Sequence, residues 1–394
     1  SYSIQLGAKI FCAIKAKFDQ HPSMIADVLS HIGRENCSSI NSSIINEVKP
    51  VLVKVLEEAC PTHVATPSSE DTDTVIDTDL LALWRTASKY PDTEPPQWLK
   101  HGAPAGIAEP IIDRGVFPLY DPTVDVAEVE PEDLTTQDDF ANYVGAEDDP
   151  EVKEEVKRLI TARHVRRFRN IKELRRYLRS EPVLSKIGVI KKVRNGKIKC
   201  RMVVDSKRSG ISKATRKYER TLLPRALDVV SDTLALQHLQ PKATLEYMVA
   251  DFKDAFLIIP NKKSERRYFV VKFGGEYLVF VKTTQGSRGA PLTWARTIAL
   301  VMRLTQSTVS CGQCRISTYV DDPIIAAVGS QEERHTIFAM VLIMWSCLQL
   351  PLSMDKAKLG ASITWTSAIF TPSEDGLCVR VKEAIVAETL ETLV

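Results

Sequence analysis

Two adjacent aspartates, Asp321 and Asp322, lie between two β-rich runs and constrain the fold more than any other feature of the sequence. Arg315–Tyr319 precedes them, and Pro323 and the apolar Ile324–Val328 follow. This spacing predicts two antiparallel strands with the aspartates at the tip of their hairpin. Two carboxylates at a tight turn beside apolar strands are costly unless a cation neutralises them. An Asp-Asp pair alone is more often only a turn, so a catalytic interpretation needs support from other motifs.

A third carboxylate, Asp251, follows the apolar run Tyr247–Ala250, which is predicted to be a buried strand. The next runs predict a hairpin, a helix, the aspartate hairpin and another helix, over residues 267–281, 291–303, 315–328 and 332–348. This order of elements predicts an α+β fold, with helices on one face of an antiparallel sheet.

Upstream of these elements the sequence is strongly basic. It predicts an Arg- and Lys-rich helix over Glu151–Arg179, then a hairpin in which Asn195-Gly196 joins Ile187–Val193 to Ile198–Val204. From Arg163 to Lys217 there are 20 basic and 3 acidic residues, a balance that attracts a polyanion. A solvated surface is the alternative interpretation of such a charge run.

The first 150 residues differ in composition from the rest. Apolar residues at helical spacing predict a small helical unit over residues 1–62. Between His63 and Glu155 there are 23 acidic and 5 basic residues, with many Pro, Thr and Asp. This composition predicts a mostly disordered linker over residues 63–150, with local docking around Trp84, Trp98 and Gly115–Tyr120.

Several classes of protein are disfavoured by the sequence. No run of 18 apolar residues and no secretory signal is present, so we expect no membrane span. The eight cysteines lack framework spacing, which fits a reducing, intracellular compartment, nuclear or cytoplasmic. Cys311-Gly-Gln-Cys314 is the only close pair and has no further zinc ligands nearby, which favours a simple turn.

Four segments resemble, in order, motifs of reverse transcriptases. They are Lys199-Cys-Arg-Met-Val-Val-Asp205 (a fingers strand), Asp251-Phe-Lys-Asp-Ala-Phe256 (the first aspartate motif), Gln285-Gly-Ser-Arg-Gly-Ala-Pro291 (Gln-Gly-x-x-x-Ser-Pro) and Tyr319-Val-Asp-Asp322 (Tyr-x-Asp-Asp). The resemblance implies the fingers and palm of a right-hand polymerase over residues 151–375, with a truncated thumb or connection beginning at 376–394. It also implies an RNA-directed DNA polymerase from a retrotransposon polyprotein.

The resemblance assigns the catalytic roles to particular residues. Asp251 and Asp321 would bind two Mg²⁺ ions, with Mn²⁺ as an alternative, and Asp322 would orient metal or primer beside them. The ions would serve nucleotidyl transfer to the 3′-hydroxyl of a primer. Lys356 would protonate the leaving pyrophosphate, with Lys358 as its rival.

The resemblance also implies a nucleotide site and a primer grip. Arg201 would clamp the triphosphate, and a lysine of the hairpin (191, 192 or 199) would add positive charge there. Phe256 would exclude a 2′-hydroxyl from the sugar site. The residues assigned to the nucleotide are Arg201, Lys199, Lys192, Phe256, Gln285 and Gly286, and Trp365 is assigned to the primer grip. Core packing or an ordinary loop is the alternative for each of these residues taken singly.

Some positions depart from the family pattern. Ala290 stands where serine is common, and Trp365-Thr-Ser367 lacks the usual glycine of the primer-grip turn. Too few residues follow Trp365 for a helical thumb, so we expect a segment of a longer polyprotein or a truncated genomic copy. The expected partners are a primed RNA or DNA template and deoxynucleoside triphosphates, with no membrane.

Two other functions stay open from the sequence. An RNA-dependent RNA polymerase is one, although that class usually has glycine before the aspartate pair and a smaller residue than Phe256 at the sugar. The other is a catalytically silent remnant that binds nucleic acid through its basic fingers.

Overall fold

The computed structural model describes residues 2–35, 37, 39–62, 74–121, 128–136, 141–194, 197–373 and 376–393, and the backbone alone of 192–194, 197–201, 388, 392 and 393. The helices are α1 (Tyr2–Gln20), α2 (Ser23–Leu29), α3 (Ser42–Ala59), α4 (Thr78–Ala87), α5 (Glu94–His101), α6 (Pro150–Thr161), α7 (Ile171–Leu178), α8 (Ile211–Ala214), α9 (Ala226–Leu239), α10 (Ala255–Ile258), α11 (Ala290–Thr308), α12 (Gln331–Cys347) and α13 (Glu383–Leu393). The strands are β1 (Val165–Phe168), β2 (Lys186–Arg194), β3 (Lys197–Asp205), β4 (Thr244–Val249), β5 (Val270–Phe273), β6 (Glu276–Phe280), β7 (Cys314–Tyr319), β8 (Asp322–Gly329), β9 (Lys358–Gly360), β10 (Ile363–Trp365), β11 (Ala368–Ser373) and β12 (Gly376–Val381). None of the helices within these ranges is long and apolar enough to cross a bilayer.

An antiparallel sheet with strand order β7-β8-β4-β9 forms the centre of the palm. Strand β8 is apolar and buried along nearly its whole length, because both faces of the sheet are covered. Met248, Ile325 and Ala327 share one apolar core with α11 and α12. Tyr247 and Ile324 share another with α9 and with β10 and β11. The expected helices on one face are therefore present, and α9 with the last sheet adds a second covering layer that the sequence did not predict.

The fingers contain a sheet of order β1-β6-β5 and the separate hairpin β2–β3. The hairpin confirms the predicted strands, and its Asn195-Gly196 turn lies outside the described residues. The prediction of one helix over Glu151–Arg179 is wrong, since α6 and α7 are separated by strand β1. Arg163 turns the chain with a left-handed φ of 57°, and β1 gains a ladder with β6 that pairs Val165 with Phe280. The helix propensity of this segment gives no information about its strand partner β6, which is distant in sequence.

The first three helices do form, but they pack on the palm. α1 lies so close to α11 that a Cβ on Gly7 would be 1.9 Å from the carbonyl oxygen of Ser307. The buried faces of α1, α2 and α3 belong to the same apolar core as α11 and α12. Their burial therefore depends on the palm helices, and the division of the chain into domains stays a prediction.

The prediction of a mostly disordered linker is wrong for residues 74–121. These residues contain α4 and α5. Trp84 and Trp98 are buried in the core shared with the palm, in agreement with the docking expected around them. Composition was misleading because acidic residues here are paired inside the protein. The Arg296 guanidinium, which is fully buried in α11, contacts Asp92 at 2.6 Å and Glu94 at 2.7 Å. Residues 63–73, 122–127 and 137–140 lie outside the described ranges.

The last sheet has the order β10-β11-β12 and is followed by α13. Strand β12 pairs with β11 from Ser373↔Gly376 to Ala368↔Val381. The expected boundary between residues 375 and 376 therefore falls inside a hairpin that packs beside the palm.

Candidate active site

Backbone hydrogen bonds bring Asp251 beside the aspartate pair. Strands β4 and β8 pair up to Val249↔Ile324, and beyond that point Phe252 donates its N–H to the carbonyl of Asp321 at 2.8 Å. Ser353 donates in turn to the carbonyl of Asp251 at 2.8 Å. The backbone at Asp251 thus lies between the aspartate turn and the segment that leads to Lys356. Asp251 and the aspartate turn are at the same end of the palm strands.

The turn that presents the aspartates has an unusual backbone. Val320 has a φ of 56°, a left-handed conformation that a β-branched residue rarely adopts. Its carbonyl accepts a hydrogen bond at 2.7 Å from the indole Nε1 of Trp294, a buried residue of α11. Such backbone strain is concentrated at functional sites, where the surrounding structure holds it in place. The sequence indicated neither the conformation of Val320 nor the role of Trp294, because both depend on a contact between distant segments.

Trp365 lies on the other side of the same turn. Its indole Nε1 donates to the backbone carbonyl of Asp322 at 2.9 Å, and its ring meets that of Tyr319 edge-on with centroids 6.3 Å apart. The assigned primer-grip residue therefore touches the aspartate hairpin, while its ring is buried.

The carboxylates of the site interact electrostatically. Partial burial, together with the negative charges of Asp321 and Asp251, raises the pKa of Asp322 to about 6. The Lys356 ammonium lies 2.5 and 2.9 Å from the two carboxylate oxygens of Asp251. Negative charges that raise the pKa of Asp322, beside a lysine that already binds Asp251, define a site that favours added positive charge.

Asp251, Asp321 and Asp322 have the oxygen ligands that a divalent metal needs. Their side chains are not arranged around a metal position in this structure. Carboxylate oxygens are the ligands that Mg²⁺ prefers. The part of the chain that the structure describes has no ready group of three or more His, Cys, Asp and Glu side chains placed to hold a metal. Asp251 directs both its oxygens at Lys356, so metal binding at Asp251 requires that this lysine move away.

The proposed sugar-contacting residue, Phe256, lies in α10, the short helix just after Asp251. Its side chain is half-buried and packs against the main core. Its carbonyl accepts a hydrogen bond from the Thr283 hydroxyl. Asp254, at the start of α10, has a left-handed φ of 53° and forms an ion pair at 2.8 Å with Arg158 of α6. These contacts fix the backbone that carries Phe256.

Gly286 allows two backbone segments to lie close together. The second segment belongs to the protein and is not a bound template or nucleotide. A Cβ at this position would be 2.6 Å from the carbonyl oxygen of Val204 in β3, and its φ is 100°. Its carbonyl accepts a hydrogen bond at 2.5 Å from the hydroxyl of Ser206. Glycine is therefore required for the palm to meet the base of the finger hairpin. The neighbouring Gln285 is exposed.

The cationic residues assigned to the nucleotide lie on the finger hairpin. Its register pairs Ile190 with Arg201 and Lys192 with Lys199. The side chains of Arg201, Lys192 and Lys199 lie outside the described part of the structure, so their roles stay predictions. Lys191 of β2 is described, and its ammonium contacts Asp149 at 2.5 Å.

The Cys311–Cys314 pair lies in the turn before β7 and at the start of that strand. Burial raises the pKa of the Cys314 thiol, which makes it a poor nucleophile. The interpretation as a simple turn is consistent with this placement.

Comparisons with known proteins bear on the family and the fold of this chain. Residues 190–370 match the family model described as reverse transcriptase (RNA-dependent DNA polymerase). A foamy viral protease-reverse transcriptase in complex with ds DNA is similar at 14% identity and a TM-score of 0.50, over 69% of this chain and 40% of that chain. The same viral enzyme in complex with an RNA/DNA hybrid is similar at 13% identity and a TM-score of 0.50, over 93% of this chain and 37% of that chain. A search of curated proteins gave no match.

The antiparallel palm sheet, its helices and the finger hairpin have the fold of a right-hand polymerase. Residues 190–370 have the sequence pattern of the reverse transcriptase family model. The chain spans about two fifths of the length of the foamy viral proteins to which it is similar, and at these identities the likeness concerns the fold.

Proposed function

We propose that this chain catalyses RNA-directed DNA synthesis, in which deoxynucleotides are added to a primer 3′-hydroxyl on a nucleic-acid template. The observation that carries this proposal is the convergence of Asp251 with Asp321 and Asp322 at one edge of the palm sheet. The reverse transcriptase family model supports the same activity. The foamy viral structures, with their bound ds DNA and RNA/DNA hybrid, support a primed template as partner.

The catalytic residues have separate tasks in this proposal. Asp251 and Asp321 hold two Mg²⁺ ions, with Mn²⁺ as the alternative, and Asp322 orients them or the primer end. When bound, such ions activate the attacking hydroxyl and stabilise the leaving pyrophosphate. Lys356 leaves Asp251 and donates a proton to the pyrophosphate, which is within the ordinary chemistry of an ammonium.

The remaining residues bind the substrates. Arg201 clamps the triphosphate with its planar guanidinium, and Lys192 or Lys199 adds charge there. Phe256 contacts the sugar, and Gln285, exposed beside the glycine that joins palm and fingers, contacts template or nucleotide. Trp365 supports the primer end through its contact with the aspartate hairpin.

Primer extension tests the proposal. We expect Mg²⁺-dependent synthesis by the unchanged protein, and a loss of roughly a hundredfold or more in Asp321→Asn, because one metal ligand is lost. Asp27→Asn is the matched control, since Asp27 is an exposed aspartate of α2. Retained binding of primed template without synthesis by the unchanged protein would contradict the proposal and support the silent, nucleic-acid-binding remnant.

A further inference from the structure

The turn between β10 and β11, which lacks the glycine that is usual in the family, has a strained backbone. Trp365 pairs with Ala368 across this hairpin, so Thr366 and Ser367 form a two-residue turn. Thr366 has a left-handed φ of 51°. Two-residue turns usually have glycine, asparagine or aspartate where the chain is left-handed, because a β-branched residue is strained there. This turn therefore needs support from the rest of the protein.

Lys382 supports the turn with two hydrogen bonds. Its Nζ donates to the carbonyl of Thr366 at 3.0 Å, and its backbone N–H donates to the carbonyl of Ser367 at 3.1 Å. The pairing of Ala368 with Val381 brings the end of β12 beside the turn, and Lys382 is the next residue. One residue thus binds the carbonyls of both residues of the turn.

Helix formation alone gives no reason for a lysine at this position. The carbonyl of Lys382 accepts the first backbone hydrogen bonds of α13, from Ile385 at 2.9 Å and Val386 at 3.2 Å, so Lys382 is the N-cap of that helix. N-cap positions favour Ser, Thr, Asn and Asp, whose side chains accept hydrogen bonds from the first turn. A cation is also unfavourable at the positive end of the helix dipole. The contact with the turn explains the lysine better than the helix does.

The turn that Lys382 holds is joined to the aspartate hairpin. Trp365, the residue before the turn, donates its indole Nε1 to the carbonyl of Asp322 at 2.9 Å. Burial and two neighbouring aspartates raise the pKa of Asp322, whereas the ammonium groups of Lys356 and Lys382 lower it. Lys382 is therefore close to the carboxylates in charge as well as through the chain of hydrogen bonds.

We propose that Lys382 is a positioning residue for the primer, which fixes the turn between β10 and β11 so that the primer 3′-hydroxyl lies against the aspartates. This inference rests on the proposed function, in which Trp365 supports the primer end. Lys382 acts through the turn and does not touch the reacting atoms. Its loss should therefore misplace the primer end without weakening the binding of the nucleotide or of the duplex as a whole.

The substitutions Lys382→Met and Lys382→Arg test this role. Methionine keeps an unbranched side chain but has no donor, whereas arginine keeps a cationic donor. The matched control is Lys242→Met, because Lys242 is exposed just before β4, at the opposite end of that strand from Asp251. Thermal unfolding of each variant sets an assay temperature at which all of them are folded.

Single-turnover extension at saturating nucleotide measures the placement of the primer end. We expect Lys382→Met to lower the maximal rate by roughly tenfold, with affinities for nucleotide and primed template within about twofold of the control, because small displacements of a reacting group are costly. Lys382→Arg should recover most of the rate. Equal rates in Lys382→Met and Lys242→Met would overturn the inference, as would a rate loss matched by an equal loss of nucleotide affinity.

A second substitution tests the strained turn itself. Glycine adopts a left-handed φ without strain, so the turn needs less support in Thr366→Gly. We expect Lys382→Met to cost roughly threefold or less in the Thr366→Gly background, against roughly tenfold in the unchanged background, because the two changes act on one turn. An equal cost in both backgrounds would overturn the inference, since the lysine would then act elsewhere.

A fluorescent base at the primer terminus reports its position without synthesis. The probe is a primed template with 2-aminopurine as the 3′-terminal base of the primer, bound in the absence of nucleotide. We expect Lys382→Met to shift the terminal fluorescence towards that of the free primed template, and Lys242→Met to leave it unchanged. The same signal in both variants would overturn the inference. Absence of synthesis by the unchanged protein, with a terminal signal that still depends on Lys382, would contradict the proposed function alone.

Discussion

Lys356 and Asp251 form an ion pair in which one ammonium meets both carboxylate oxygens, at 2.5 and 2.9 Å. The side chain of Asp251 is 14% exposed, whereas that of Lys356 is 61% exposed. The lysine thus lies where it can leave for solvent or substrate, while the aspartate cannot. In the proposed mechanism, metal binding by Asp251 and proton donation by Lys356 both require this ion pair to open.

Replacement of Lys356 by methionine should therefore have two opposite effects. Binding of Mn²⁺ or Mg²⁺ to the free protein should tighten, by roughly fivefold at most, because an exposed ion pair is worth about 1 kcal/mol or less. Single-turnover extension should slow by roughly a hundredfold, because a general acid is lost. A metal titration and rapid-quench kinetics measure the two effects.

The matched control for this change is Lys358→Met. Lys358 is the exposed first residue of β9, and we expect neither metal affinity nor extension rate to change. A slow Lys358→Met variant beside a normal Lys356→Met variant would assign proton donation to the rival lysine instead.

The raised pKa of Asp322 predicts a pH-dependent stability of the metal-free protein. The folded-state pKa of about 6 lies above the ordinary value of 3.8, so ionisation of Asp322 destabilises the fold. The cost is absent below about pH 4, grows as pH rises, and is fully present above about pH 6. Asp322→Asn should therefore raise Tm at pH 7.5 by roughly 2 °C, and by nothing at pH 3.5.

Thermal unfolding at the two pH values, with and without Mg²⁺, checks this prediction. Asp27→Asn on the surface of α2 serves as control, and we expect the same small change at both pH values. Added Mg²⁺ should stabilise the unchanged protein more than Asp322→Asn. A lower Tm for Asp322→Asn at pH 7.5 without metal would show that the three carboxylates do not repel one another.

The sequence predicted best those elements whose sequence signals lie close together in the chain. The two strands of the aspartate hairpin and those of the finger hairpin were predictable, because alternating runs and a turn lie side by side in the chain. The four motifs placed Asp251 and Asp321 in one domain by resemblance. Their adjacency follows from the pairing of β4 with β8, which no local pattern specifies.

The wrong predictions came from charge and helix propensity taken without tertiary partners. Residues 74–121 look disordered by composition, yet Asp92 is buried against Arg296. The basic run over Glu151–Arg179 favours helix throughout, yet pairing with β6 makes β1 from part of it. A composition argument counts charges as solvated, and it fails where a distant partner neutralises them.

Phe256 provides a test of the proposed selectivity for the sugar. Phe256→Ala should increase incorporation of ribonucleotides relative to deoxynucleotides by roughly tenfold or more, because the bulk that excludes a 2′-hydroxyl is removed. Phe256→Tyr keeps the ring and should keep the selectivity. The ratio of kcat/KM for the two nucleotide classes is the measurement, and an unchanged ratio in Phe256→Ala would remove Phe256 from the sugar site.

A comparison of two buried tryptophans tests whether the strained aspartate turn needs its hydrogen bond. Trp294 donates to the carbonyl of Val320 at 2.7 Å, and Trp345 of α12 donates to the Thr305 hydroxyl at 3.1 Å. Both are almost fully buried, so phenylalanine at either position should cost about 2 kcal/mol of stability through lost packing and a lost hydrogen bond.

Activity should separate the two variants. Trp294→Phe releases the carbonyl of Val320 and lets its left-handed φ relax, which moves Asp321 and should lower the extension rate by roughly tenfold or more, since small displacements of reacting groups are costly. Trp345→Phe should keep its rate at a temperature where both variants are folded. Equal rates in the two variants would mean that packing alone holds the turn, and that the indole of Trp294 has no part in positioning the aspartates.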